Sequence, residues 1–131
     1  LRLLDRLRRE NDLAVILITH DLGVMSAIAD RVSIFYAGRV VESGSRADVL
    51  RLPRHPYTRA LLDALPHPEL RGNQPLVAIP GSPPSPGNIP PGCAFHPRCA
   101  FARDDCRLHV PELVARNGRA LACPVDPFAA E

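Results

Sequence analysis

Two sets of residues in this 131-residue sequence have the types and positions to do chemistry. The first is a cysteine series: Cys93, Cys99, Cys106 and Cys123, with 5, 6 and 16 residues between successive members. Four thiolates suffice for a tetrahedral zinc site or an iron–sulfur centre. No C-x-x-C pair occurs, so neither the zinc-ribbon spacing nor a standard ferredoxin pattern is met. Spacing alone therefore leaves three outcomes open: a metal site, two disulfides, or free buried thiols. His96 and His109 lie near the series and are expected outside the ligand set, since four sulfurs are available. Arg98, Arg103 and Arg107 lie between or beside the cysteines, where guanidinium groups would moderate the negative charge of a thiolate centre. Asp104 and Asp105 are expected in a solvated turn rather than as a catalytic pair.

The second is His20. It follows the run Leu13–Thr19, which is apolar and rich in β-branched residues, and precedes a helical pattern that Asp21 is placed to cap. A strand apolar on both faces belongs inside a parallel sheet. Ligands of such sheets bind at the C-terminal strand ends, where a helix start also favours phosphate. A His there can donate one hydrogen bond to a phosphoryl oxygen. The plainer alternative is a polar residue at a loop entrance beside an ordinary helix cap.

The elements that would position these groups change character along the chain. Residues 1–52 contain no proline, whereas residues 53–97 contain 12 of the 15, and all four cysteines come after residue 92. The division is an α/β segment (1–52), a Pro-rich connection with one helix (53–92) and a cysteine-bearing cap (93–131). In the first segment Leu3, Leu4 and Leu7 mark an amphipathic helix ending at Asn11-Asp12, and Leu22, Met25, Ile28 and Ala29 mark another. Val32–Tyr36 and Arg39–Glu42 are strand candidates about an Ala37-Gly38 hairpin turn. Ser45 and Asp48 resemble a capping box for a helix that must stop near Leu52, before Pro53. Pro56 opens a helix carrying Tyr57, Ala60, Leu61, Ala64 and Leu65, which Pro66 and Pro68 end. His55 and His67 flank that helix and are given structural roles. Pro80–Pro91 holds too many prolines for a helix or interior strand and predicts an extended strap.

Composition narrows the functional classes. Hydrophobic residues make up 46% and charged residues 23%, as in ordinary soluble proteins. The longest apolar run, Leu13–Ile18, is far short of the roughly 20 residues that span a bilayer. No secretory signal pattern is visible. A net charge of +2, from 16 Arg and 14 acidic residues, does not compel a nucleic-acid partner. The first residue, Leu1, already lies in a helical pattern, so the chain is expected to be a piece of a longer one.

Longer strings carry a resemblance. Thr19-His20-Asp21-Leu22, Ala29-Asp30-Arg31-Val32 and Ala37-Gly38-Arg39-Val40-Val41-Glu42-Ser43-Gly44 resemble the last third of an ABC-transporter ATPase domain. Residues 53–125 are similar to the C-terminal extension of the dipeptide/oligopeptide importer subfamily. The similarity rests on His55-Pro56-Tyr57, Ile79-Pro80-Gly81-Ser82-Pro83-Pro84, Gly92-Cys93-Ala94-Phe95-His96-Pro97-Arg98-Cys99, Cys106 and Ala122-Cys123-Pro124. The fold implied is α/β: the C-terminal part of an ABC-type P-loop ATPase domain, followed by a small, Pro-rich, loop-rich four-cysteine domain.

The resemblance implies roles. His20 takes the position of the switch histidine that contacts the γ-phosphate of ATP, which the intact subunit binds with Mg²⁺. Cys93, Cys99, Cys106 and Cys123 take the positions associated with a [4Fe–4S] cluster, with zinc as the alternative. The implied partners are a second ATPase subunit, two membrane permeases and, indirectly, a peptide-binding protein, at the cytoplasmic face of the plasma membrane; nucleic acid is not among them. With no Lys, the chain holds no G-x-x-x-x-G-K-[ST] loop and is expected to be inactive alone. The competing expectation is an autonomous four-cysteine metal module whose Arg-rich surface contacts nucleic acid. The acidic residues and the shortage of aromatic side chains for base stacking stand against it.

Overall fold

Strands form where apolar residues alternate. A computed structural model describes residues 1–65 and 78–129. In it, β1 (Arg31–Tyr36) buries Val32, Ile34 and Tyr36 and turns Arg31, Ser33 and Phe35 outward. Ala37 and Gly38, at φ 47° and 78°, make the expected tight turn into the antiparallel strand β2 (Arg39–Ser45). Two consecutive positive φ values suit the right-handed twist of a hairpin. The register shifts between Ile34, which pairs with Glu42, and Phe35, which pairs with Val40. Val41 is thereby an extra residue, and both Val41 and Glu42 are buried.

Helix α1 (Arg2–Glu10) and helix α2 (Leu22–Ile28) form as the apolar spacing predicts. Asp21 caps α2 by accepting from Val24 N at 3.1 Å. The segment between them departs from expectation. Residues 13–19 form no strand, and Ile16 and Ile18 are 93% and 94% exposed. The sheet of the described residues is antiparallel in all its pairings, so the expected parallel sheet is corrected here. A strand apolar on both faces needs a hydrogen-bonded neighbour on each edge, and no described strand supplies one to residues 13–19.

Beyond β2, Ser45 caps α3 (Arg46–Arg51) by accepting from Asp48 N at 3.1 Å, and Pro53 follows the helix end. Helix α4 (Pro56–Asp63) starts on Pro56; the proline stop at Pro66 and Pro68, and His67, lie outside the described residues. The strap over 80–91 has turns but no helix or strand, as its prolines dictate. The cap contains a 3₁₀ turn (His96–Arg98), a short helix α5 (Asp105–Leu108) and a hairpin of β3 (Val114–Arg116) and β4 (Arg119–Leu121). β4 pairs with β2, giving the strand order β1-β2-β4-β3.

The core sits on the inner face of the first hairpin. Val32, Ile34, Tyr36, Val41 and Val49 pack there with Phe95 from the cysteine segment. Tyr36 meets Tyr57 edge-on at 4.6 Å and Phe95 at 5.2 Å between ring centroids. Such aromatic pairs contribute about 0.5–1.5 kcal/mol each beyond burial. This trio joins β1, α4 and the cap, and so fixes where the cysteines stand.

Candidate functional site

The four cysteines converge. Cys93, Cys99, Cys106 and Cys123 line one small cavity, and all four are free thiols. Each arrives on a different local structure: the loop after Gly92, the end of the 3₁₀ turn, helix α5, and the residue pair after β4. Gly92 makes the first approach possible. Its φ is +70°, and a Cβ there would stand 2.4 Å from the Cys106 carbonyl oxygen. With that space open, Cys93 N donates to Cys106 O at 2.8 Å. On the opposite side, Ala122 N donates to Val41 O at 2.9 Å, which fastens Cys123 to β2.

The sulfurs are held protonated by their surroundings, with backbone donors acting the other way. Burial pushes the Cys93, Cys99 and Cys123 thiols up, and the neighbouring thiols push the same way. Backbone N–H groups pull against that: Phe95 and His96 donate to Cys93, Phe101 to Cys99 and Val125 to Cys123. Donors aimed at sulfur favour the thiolate. The residue two positions on supplies one in three of the four cases. A bound cation would replace the thiol protons and offset the mutual repulsion. Among the described residues, no three His, Cys, Asp or Glu side chains gather closely enough to hold a single metal ion.

The charged neighbours divide. Arg103 acts electrostatically on Cys123 and favours its ionised form. Arg98, expected to serve the cysteines, instead fastens the strap, donating to Pro80 O at 2.7 Å and to the Tyr36 hydroxyl at 3.3 Å. Arg107 and His109 are exposed. His96 lines the cavity and places its Nδ1 2.9 Å from Cys93 O. Asp104 and Asp105 are exposed at the start of α5.

Glu42 and His55 complete this region. The Glu42 carboxylate is fully buried and accepts from Arg54 N at 2.9 Å, His55 N at 3.0 Å and Arg119 Nε at 3.2 Å. A second Arg119 nitrogen bonds both Glu42 and Leu52 O. One carboxylate thus joins β2, the entry to α4 and β4. A buried carboxylate is tolerable only with such pairing. His55, 1% exposed, caps α4 through Nδ1, which accepts from Tyr57 N at 3.1 Å, and its ring also lines the cysteine cavity. Desolvation lowers its pKa from 6.5 to about 4, against the opposing pull of Glu42.

His20 stands elsewhere. It is exposed beside the N-terminus of α2 and lines an apolar cleft of about 1130 Å³ with residues 13–19, α1, α2 and β1. Among the described residues, none lines both this cleft and the cysteine cavity. The structure therefore unites the four cysteines and keeps His20 apart from them.

Comparison with known proteins shows the family. The family described as "Oligopeptide/dipeptide transporter, C-terminal region" matches residues 41–106, half the chain. The chain belongs to this family. Its matched region holds Glu42, His55-Pro56-Tyr57, Cys93, Cys99 and Cys106, with Cys123 beyond it. The chain is 47% identical over 99% of its length to "Probable peptide ABC transporter ATP-binding protein y4tS" of Sinorhizobium fredii, of which 37% is covered. "Oligopeptide transport ATP-binding protein OppD" is 47% identical over 88% of the chain in Haemophilus influenzae, with 35% of that protein covered. The Salmonella typhimurium protein of the same name is 44% identical over 95% of the chain, with 37% covered. The chain thus spans little more than a third of the curated relatives it matches.

Three features of this family member went unread in the sequence. Glu42, next to Val40-Val41 in β2, is fully buried and paired. Asn117-Gly118 is a strong two-residue hairpin signal, and both residues take positive φ between β3 and β4. Gly92 immediately before Cys93 signals a close backbone approach.

Proposed function

We propose that this chain forms the C-terminal part of the ATP-binding, energy-coupling subunit of an ABC transporter importing di- and oligopeptides. The likeness to a peptide ABC transporter ATP-binding protein along 99% of the chain carries the reading. On it, His20 is the switch histidine of the intact subunit. Its exposed position at the cleft edge leaves the imidazole free to reach a phosphate, and one hydrogen bond to a charged partner contributes about 1.5–3 kcal/mol. ATP with Mg²⁺ supplies the phosphoryl group that this hydrogen bond would orient. The partners are a second ATPase subunit, two membrane permeases and, indirectly, a peptide-binding protein. The place is the cytoplasmic face of the inner membrane. No described helix is long and apolar enough to cross a membrane.

For the cap we propose that Cys93, Cys99, Cys106 and Cys123 hold a [4Fe–4S] cluster. Four free thiols around one cavity, with backbone donors aimed at three of the sulfurs, support this. All four cysteine positions that the family resemblance associates with a cluster are present, which favours the cluster over zinc.

The test of the first proposal is ATP turnover by the intact subunit with its partners. His20→Ala should cut turnover by about 10²-fold or more while leaving folding and nucleotide binding in place. Unchanged turnover would remove His20 from the γ-phosphate. The 131-residue chain alone should show none.

A further inference from the structure

His55 was expected to be merely structural, yet its ring is oriented by two constraints. The backbone N donates to Glu42 Oε2 at 3.0 Å, and Nδ1 accepts from Tyr57 N at 3.1 Å. A nitrogen that accepts an N–H carries no proton, so the ring proton is on Nε2. The residue is 1% exposed, and the space its ring lines is the cavity shared with the four cysteines. Among the described residues Nε2 has no hydrogen-bond acceptor, but it is not among the fully enclosed polar atoms left without a partner. Its proton is thus free to meet a group held in the cavity that the ring lines.

The other histidine at the cavity has the opposite tautomer. His96 Nδ1 lies 2.9 Å from the Cys93 carbonyl, which only accepts, so Nδ1 holds the proton and a neutral ring leaves Nε2 an acceptor. Of the two rings lining the cavity, only His55 has a nitrogen-bound proton that is not already directed at a backbone carbonyl.

We propose that His55 is a fifth protein group of the four-thiol site, a positioning residue whose Nε2–H donates a hydrogen bond to sulfur once the site is loaded. Where the site holds an iron–sulfur centre, which is the reading proposed above, this donor stabilises the more negative, reduced state. The same ring caps α4 through Nδ1, so the state of the site and the start of α4 share one side chain.

The variants His55→Asn and His55→Gln separate the two roles. Asn keeps an N-cap oxygen in the place of Nδ1 and lacks the distal donor; Gln puts an amide N–H further out and is a poorer cap. The full chain is loaded anaerobically with ferrous iron and sulfide, and reduction potential and iron release are followed. His55→Asn should load to the wild-type stoichiometry with a lower potential and several-fold faster iron loss. His55→Gln should recover part of the potential. Equal potentials and release rates for wild type and His55→Asn would overturn the proposal. If wild type takes up no iron and sulfide, the cluster reading fails separately. The His55 donor is then judged with Cd²⁺ as a thiolate-seeking probe and the ¹⁵N resonance of Nε2. A downfield Nε2–H shift on Cd²⁺ addition supports the donor, and an unmoved resonance refutes it.

Discussion

Replacing Gly92 by Ala tests the close approach on which the cysteine cavity depends. Two costs add. At φ +70° an L side chain is strained by about 1–2 kcal/mol. The new Cβ would also stand 2.4 Å from Cys106 O and 2.6 Å from Arg107 C. These are backbone atoms, which no rotamer change can move aside. The Cys93 loop and α5 must separate, breaking the 2.8 Å bond from Cys93 N to Cys106 O. A buried carbonyl and amide left unpaired cost about 1–3 kcal/mol. The sum is about 3 kcal/mol, or a fall of about 2 M in the urea midpoint at a slope near 1.5 kcal/mol per M. Gly118 supplies the control, since its φ is +77° and nothing lies within 4 Å of an added Cβ. Gly118→Ala should therefore cost only the strain, about 1 kcal/mol. Unfolding followed by circular dichroism, with a thiol reagent reporting on buried Cys106, gives both readouts. Equal midpoints for the two variants, with Cys106 still protected in Gly92→Ala, would refute the reasoning.

Three other outcomes follow from the same contacts. Glu42→Ala leaves Arg119 and two backbone amides without their buried acceptor and should cost about 3–5 kcal/mol by urea unfolding; a change below 1 kcal/mol would contradict that role. In the metal-free chain, the depressed pKa of His55 means the unfolded state takes up the proton first as pH falls. Stability is whole above pH 6.5 and declines by about 3 kcal/mol on approaching pH 4, with Glu42 opposing the loss. His55→Asn should remove this component from the stability–pH curve, and superimposable curves would exclude it. Amides of residues 14–19 lack ladder partners, so they should exchange with deuterium far faster than those of β1 and β2 in the 131-residue chain.

Local signals were legible where local forces decide. Asp21, Ser45 and Pro56 mark helix starts because caps and N1 prolines act on their own turn. The β1–β2 hairpin was readable from alternation and from Ala37-Gly38. What failed depends on distant chain. Residues 13–19 have the composition of a buried parallel strand, but composition cannot supply the neighbouring strands. The cysteine series was readable as a set, whereas its convergence depends on Gly92, the β4–β2 pairing and the Phe95 anchor. Glu42 was hidden because an inserted residue at Val41 turns it inward, which a strict two-residue period does not anticipate. His55 looked like a helix-end residue because one of its nitrogens caps α4; its ring also lines a cavity whose cysteines are at least 38 positions away.

The most direct measurement is the iron and acid-labile sulfide content of the full chain purified without oxygen, beside Cys106→Ala. About four irons and four sulfides per chain, with broad absorption near 400 nm that Cys106→Ala loses, is the result expected of four cysteines acting as one cluster site. A colourless wild-type protein with stoichiometric zinc, or with no metal and four reactive thiols, would contradict it.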